Sequence, residues 1–303
     1  MDPAMHTGKA QDNGCSRIRS LLFVPADNPR KLQKAVTLGA DALIFDLEDA
    51  VLPARKCEAR TMLAEFLHGY RGPSQPWVRV NDLQSGEILA DLGAVIRPGV
   101  AGVVLPKLRG PEDLDHLGHY LDAVEAMSGC AQGATRVLAV CTETPIAVLR
   151  MAELAKKGHP RLAGLIWGAE DLSSALGAGD PRSAGGVWQP LYEHARAQCL
   201  LAAHALGIEA IDTVYVDIRN GEGCRSNAVL ARRDGFTGKI AVHPDQVAII
   251  NDAFTPKAEE IAYAQRVVDA FGGSAGAVSV DGRMLDMPHL RGAQRVLRAA
   301  GVL

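Results

Sequence analysis

The sequence predicts an α/β protein of the (β/α)8 TIM barrel type with a C-terminal arm. Three observations point there. Eight short apolar runs alternate with longer segments whose apolar residues recur three and four positions apart, the spacing of a helix face. Strand then helix, repeated, implies parallel pairing through crossovers. Charged residues gather where the runs end, which is where a barrel carries its functional groups. The length of 303 residues exceeds by a modest margin the about 250 typical of such a barrel.

Taken in order, the runs are LLFV (21–24), ALIFDL (42–47), WVRV (77–80), GVVLP (102–106), RVLAVCTE (136–143), LAGLIWG (162–168), AIDTVYVD (210–217) and KIAVHP (239–244). Helical segments between them include PRKLQKAVTLGA, ARKCEARTMLAEFLHGY, PEDLDHLGHYLDAVEAMSG and WQPLYEHARAQCLLAAHALG. PKAEEIAYAQRVVDAFGG reads as a closing helix, so the barrel is expected over 17–273. Residues 1–16 are polar and read as a disordered tail. The segment 274–303 carries a strand-turn-strand signal at Asp281-Gly282 and ends in a basic amphipathic helix, read as a lid or an arm. An open doubly wound sheet fits the alternation less well. Its first strand should lead into G-x-G-x-x-G, and here it leads into VPADNPRK.

Composition narrows the function classes. A net charge of −3 without any block of like charges argues against nucleic-acid or membrane-surface partners. No run approaches the about 18 apolar residues of a membrane span. Six scattered cysteines, without a C-x-x-C pair, read as reduced thiols of a cytoplasmic protein. Signatures of a serine hydrolase elbow, a zinc protease and a P-loop are missing.

The chemistry-bearing residues end different strands: Asp46, Glu48 and Asp49 the second, Arg79 and Asn81 the third, Lys107 the fourth, Glu143 the fifth, Glu170 and Asp171 the sixth, with Asp212 in the seventh and His243 at the eighth. Glu143 and Asp171 fall at neighbouring strand ends, and two carboxylates completed by water and substrate oxygens is how Mg2+ is usually held. The competing reading makes Glu143 a cap or ion-pair partner and Asp171 the N-cap of LSSAL. Three acids in DLEDAV need cations to offset them, which favours a site over a surface. Arg79, between valines, is either an ion-pair partner of those acids or a clamp for a carboxylate or developing enolate oxygen. Arg30 and Lys34 share a face of the first helix and suit a phosphate or plain solvent. His243 reads as a satisfied core histidine.

Seven of these segments, RSLLFVPADNPRKLQKA, DALIFDLEDAV, WVRVN, CTETPIAVL, IWGAEDLSSALG, AVHPDQV and GRMLDMPHLRGAQRVL, together resemble the citrate lyase beta-subunit family, within the malyl-CoA lyase and HpcH/HpaI aldolase superfamily. The resemblance spans residue 17 to the C-terminus. It implies a Mg2+-dependent lyase, typically a homotrimer, acting on a 3-hydroxyacyl thioester of coenzyme A to give acetyl-CoA or propionyl-CoA and a 2-oxo acid. It also implies Glu143 and Asp171 as metal ligands, with Glu143 touching substrate through the metal. Arg79 is implied as the substrate contact, Glu48 and Asp49 as neighbours of the metal waters, Arg30 and Lys34 as CoA phosphate contacts, and Asp286 as a catalytic group reaching a neighbouring subunit. One departure is Ala26, where many members carry glycine. Two other readings stand beside this one: a metal-dependent aldolase acting on free hydroxy-keto acids, and a non-catalytic CoA-binding subunit.

Overall fold

A computed structural model describes residues 17–183, 186–272 and 276–303. The tail predicted over 1–16 lies outside them. Eight strands form a closed barrel in sequence order, every pairing parallel. They are β1 (Ser20–Pro25), β2 (Ala42–Asp46), β3 (Gln75–Arg79), β4 (Gly102–Leu105), β5 (Arg136–Val140), β6 (Leu162–Ile166), β7 (Glu209–Asp212) and β8 (Gly238–Ala241). The crossovers carry α1 (Pro29–Ala35), α2 (Lys56–His68), α3 (Ile88–Val95), α4 (Pro111–Ser128), α5 (Pro145–Leu149), α6 (Met151–Lys157), α7 (Glu170–Leu176), α8 (Pro190–Leu206) and α9 (Gly221–Asp234); α10 (Pro244–Phe254) follows the last strand. Beyond it come α11 (Ala258–Phe271), a hairpin of β9 (Val278–Val280) and β10 (Arg283–Leu285), and α12 (Met287–Ala299).

Side-chain alternation sorts the strands into two apolar layers. Leu21, Ile44, Trp77, Val104, Leu138, Ile166, Ile211 and Ile240, one per strand, fill the barrel interior. Their neighbours, among them Leu22, Phe45, Val78, Val103 and Leu165, pack outward against the helices. Strands buried on both faces explain why the sequence reads as continuous apolar runs rather than alternation.

Three sequence expectations need correction. The last four strands stop short of the apolar runs: Glu143, Gly168 and Val214 to Asp217 lie in loops, because the ladder ends where the neighbouring strand offers no further partner. The helix expected to close the barrel, α11, instead shares a separate core with the arm, through Ala264, Val267, Phe271, Val280, Leu285, Ala293 and Leu297. Its apolar stripe is the same whichever surface it faces, so periodicity alone did not reveal the partner. The arm is also no lid over its own barrel mouth. Arg17, just before β1, donates from Nη1 to the Ala299 carbonyl at 3.0 Å, which seats the end of α12 against the amino-terminal side of the barrel.

That same amino-terminal side carries a buried ion-pair cluster. Arg161, preceding β6, donates through Nη1 and Nη2 to the two oxygens of Glu125 on α4, each at 2.7 Å. Glu125 also accepts the N–H groups of Gly133 and Thr135 at 2.8 and 2.7 Å. Burial favours the protonated carboxyl, but Arg161 and these donors win and hold its pKa down at about 2. Removing one partner of a buried pair leaves the other charge uncompensated, so Arg161→Met is expected to cost about 3–5 kcal/mol in urea unfolding at pH 7. Because the folded carboxyl lies below its unfolded value of about 4.3, this stabilisation is complete above that value and is lost as pH falls towards 2. The gap between parent and variant should therefore narrow in acid; a gap unchanged at pH 3 contradicts the assignment.

Candidate active site

The mouth is built from the carboxyl ends of β1 to β6. Asp46 ends β2 pointing along the barrel interior and folds its carboxylate back over its own loop, accepting the N–H of Glu48 at 2.9 Å and of Ala50 at 3.1 Å. Arg79, its register partner at the end of β3, donates Nε and Nη2 to the two Asp46 oxygens at 2.8 and 2.6 Å. The guanidinium carbon sits 4.5 Å from the Phe23 ring centroid. This bidentate clamp and the aromatic floor fix the arginine in one orientation. Burial opposes its charge, yet Asp46, Glu48 and Glu143 together raise its affinity for the proton. Arg79 is thus the ion-pair partner of those acids, with its Nη1 3.1 Å from Glu48 Oε2.

Glu48 is buried, and its Oε2 accepts no hydrogen bond despite that proximity to Arg79. Lys107 Nζ donates to the other oxygen at 2.5 Å and lies 3.5 Å from Asp49, which is 55% exposed. Burial, only partly offset by Arg79 and Lys107, pushes the Glu48 carboxyl up. Lys56 holds the same loop from below, donating to the carbonyls of Leu47 and Glu48 at 3.0 and 3.1 Å and to the Asn81 side chain. Asn81 in turn donates twice to Asp91 Oδ2, each at 2.7 Å.

Glu143 sits in the loop after β5, 4% exposed. Thr144 caps α5 behind it, accepting from the Ala147 N–H at 3.3 Å, and Pro145 opens the helix. Thr142 Oγ1 clasps Gly168 by accepting its N–H at 2.8 Å and donating to its carbonyl at 3.1 Å, so the loops after β5 and β6 move as one. A Cβ at position 168 would stand 3.2 Å from Glu143 Cγ, so glycine there lets the carboxylate lie flat against the loop. One Glu143 oxygen accepts the backbone N–H of Lys107. Burial, then Asp171 and Glu48, push the Glu143 carboxyl up to about 8 against the pull of that N–H and of Arg79. Asp171 lies in the first turn of α7, half-buried; the cap position of that helix is Ala169, so Asp171 is not its N-cap.

Other expected residues land differently. Lys34 lines a groove of about 350 Å3 between β1, α1 and the start of α10, together with Lys31, Phe23, Val242 and His243. Arg30 is exposed on α1 and is not among the residues lining that groove. Lys31 was not singled out from the sequence, although its place three residues before Lys34 was the available signal. His243 is the N-cap of α10 rather than a core residue, its Nδ1 accepting from the Asp245 N–H at 3.3 Å. Asp212 ends β7 but faces the helices, accepting from Lys239 at 2.7 Å and from Trp167 Nε1 at 2.7 Å, a buried structural cluster. Asp286 precedes α12, exposed, with Oδ1 2.6 Å from His289 Nδ1. It makes no hydrogen bond or ion pair with Glu48, Arg79, Glu143 or Asp171 among the described residues.

The donor set suits a small hard cation. Every group is a carboxylate oxygen, one of them buried without a donor, and Glu143 resists ionisation until a positive charge arrives. Among the described residues no set of three or more His, Cys, Asp or Glu side chains is gathered as a ready-made metal cluster. That is compatible with a cation that keeps most of its waters and takes only one or two carboxylates.

Comparison with known proteins follows the same direction. The family model of HpcH/HpaI aldolase/citrate lyase matches residues 19–244. Citrate lyase subunit beta of Haemophilus influenzae is 36% identical, covering 93% of this chain and 96% of that protein. The mitochondrial citramalyl-CoA lyase of Rattus norvegicus is 32% identical over 93% of this chain and 86% of its own length. Protein CitE of Mycobacterium tuberculosis, solved with magnesium, acetoacetate and coenzyme A, superposes with a TM-score of 0.77 at 33% identity, covering 94% of this chain and 99% of that one. These relatives carry the names of lyases or of lyase subunits, and the matched region includes the whole barrel sheet with every mouth carboxylate described above. The chain belongs to the HpcH/HpaI aldolase/citrate lyase family.

Proposed function

We propose that this protein is a Mg2+-dependent carbon–carbon lyase that cleaves a 3-hydroxyacyl thioester of coenzyme A into a shorter acyl-CoA and a 2-oxo acid. The observation that carries the reading is the pairing of Glu143 and Asp171 at adjacent loops beside a clamped, buried Arg79. Magnesium, acetoacetate and coenzyme A bound to the CitE relative support it. So does the groove at β1, whose Lys31 and Lys34 offer charge to phosphates at one edge of an apolar floor.

In this reading Glu143 and Asp171 would hold the cation, with Glu48 and Asp49 beside them. When bound, it would supply Lewis-acid polarisation of the substrate hydroxyl and carboxylate. Loss of the hydroxyl proton, passed through water to Glu48, opens a retro-Claisen cleavage: the hydroxyl carbon becomes a ketone, and the electron pair of the breaking bond moves to the thioester enolate. Arg79, already fixed by Asp46 and Phe23, presents Nη1 to the developing oxyanion without reorganising, which is where such donors contribute most. Asp286, recharged with a proton from solvent, delivers it to the enolate carbon, and Glu48 releases the hydroxyl proton to solvent. Because the arm is rooted beneath the barrel, in this reading the proton donor comes from another copy, and assembly as a homotrimer would bring it there.

Glu143→Ala should lower Mg2+ affinity and turnover together by more than about 100-fold, a larger loss than supporting residues of metal sites usually produce. Calorimetric titration with Mg2+ and a product assay on hydroxyacyl-CoA thioesters check both; full Mg2+-dependent turnover in the variant contradicts the ligand assignment.

The raised Glu143 carboxyl has a signed consequence. Its folded value of about 8 lies above the unfolded one, so between roughly pH 5 and 8 the metal-free folded state keeps a proton that the unfolded state has lost. Stability of the metal-free parent should therefore fall with rising pH across that window relative to Glu143→Gln. Mg2+ binding in the same window should release a proton. Urea unfolding at several pH values, and calorimetry in buffers of different ionisation enthalpy, measure the two.

Contribution of Asp286 across subunits is tested by mixing. Asp286→Ala and Glu143→Ala chains, each inactive alone, should regain turnover when refolded together, because some mouths then pair an intact Glu143 with a neighbour's intact Asp286. No regain on mixing overturns the assignment of Asp286 to a neighbour's mouth, and an active Asp286→Ala chain places Asp286 outside the reaction.

A further inference from the structure

Lys107, in the loop after β4, has φ of +52°, one of two non-glycine residues with positive φ among the described residues; the other, Asp281, turns the arm hairpin. A lysine gains nothing locally from the left-handed region, and a non-glycine residue persists there only when its surroundings over-determine it. The surroundings are specific. In this conformation the backbone N–H of Lys107 is donated to Glu143 Oε2, while its side chain turns the opposite way and donates Nζ to Glu48 Oε1. With one Glu143 oxygen taken by the main chain, Oε1 is left on the Gly168 side, towards the loop that carries Asp171. The Lys107 side chain is 34% exposed and its ammonium also faces Asp49 at 3.5 Å, so a single residue spans three of the mouth carboxylates.

We infer that Lys107 is a positioning residue for the cation site, its left-handed backbone aiming the N–H that orients Glu143 and its ammonium orienting Glu48. The inference rests on the metal reading given above and deepens it. A main-chain donor suits the first task because it cannot swing away, and it acts on the carboxylate as outer-shell partners act on other metal ligands. The ammonium suits the second because it fixes one Glu48 oxygen and leaves the other beside Arg79, 3.1 Å from its Nη1.

Three variants separate the two tasks. Lys107→Asn and Lys107→Val both lose the ammonium, but asparagine tolerates the left-handed region and a β-branched valine does not. Any change in Mg2+ affinity due to charge is common to both. The difference between them reads the backbone alone. Calorimetry should find Mg2+ affinity about tenfold weaker in Lys107→Val than in Lys107→Asn, the lower end of what outer-shell losses produce. Turnover should drop in both, and Lys107→Arg, which restores a cation, should recover part of kcat while leaving KM for the thioester near that of Lys107→Asn. Cooperative thermal unfolding of each variant confirms a folded protein. Equal Mg2+ affinity in the asparagine and valine variants overturns the backbone role, and no recovery of kcat by arginine overturns the ammonium role. A parent protein that binds no Mg2+ overturns the metal reading and this inference with it, an outcome distinct from the other two.

Discussion

Five carboxylates at one barrel mouth share two cations, and the rest of the site is organised around that imbalance. Asp46, Glu48, Asp49 and Glu143 face Arg79 and Lys107, and Asp171 adds its charge beside Glu143. Asp46 takes most of Arg79 and two backbone N–H groups, so its charge is answered. Lys107 is divided between Glu48 and Asp49. The shortfall lands on Glu143, which is buried, beside Asp171, and helped only by one N–H and a distant guanidinium; its carboxyl therefore holds a proton up to about pH 8. A set of acids arranged this way suits a compact positive charge that accepts oxygen ligands. The supporting features, from the Thr142–Gly168 clasp to the Lys56 brace, hold the loops that carry those acids.

Much of this was legible in the sequence, for physical reasons that also mark where legibility stops. The barrel could be read because its strands are buried on both faces and its helices on one, so the two hydrophobic periods stay separate along the chain. Glu143 and Asp171 could be paired because consecutive strands of a parallel barrel are neighbours. Strand ends could not be read at β5 to β8, where apolar residues continue past the last ladder bond, Trp167 packing into the layer against the helices and Val214 against the barrel interior. Nor could the burial partner of α11, since an amphipathic stripe names a face and not what covers it. Lys107 is the clearest case. Its identity carries no signal for a left-handed backbone, and its main-chain contribution to Glu143 is invisible to any reading based on side-chain types. Lys31 was missed for a simpler reason: the choice between adjacent basic residues on a short helix depends on how that helix is rotated against β1.

The division of labour between barrel and arm bears on how a water-sensitive step is protected. The arm has its own apolar core, from Ala264 on α11 to Leu297 on α12, and its hairpin is pinned by Arg266 to Asp281 at 3.0 Å. It is therefore a shaped element that carries Asp286 at the start of a 13-residue helix, not a flexible strap. A catalytic group on a rigid element is held more closely than one on a loop. Anchoring that element under the barrel, through Arg17 and Ala299, sets it away from its own mouth, so under the proposed mechanism Asp286 would act only at a neighbour's mouth. On that proposal the mouth of an isolated chain would present the clamped Arg79 with no Asp286 facing it. Assembly would then do what lid closure does in single-chain barrels, excluding solvent and completing the proposed catalytic set in the same event.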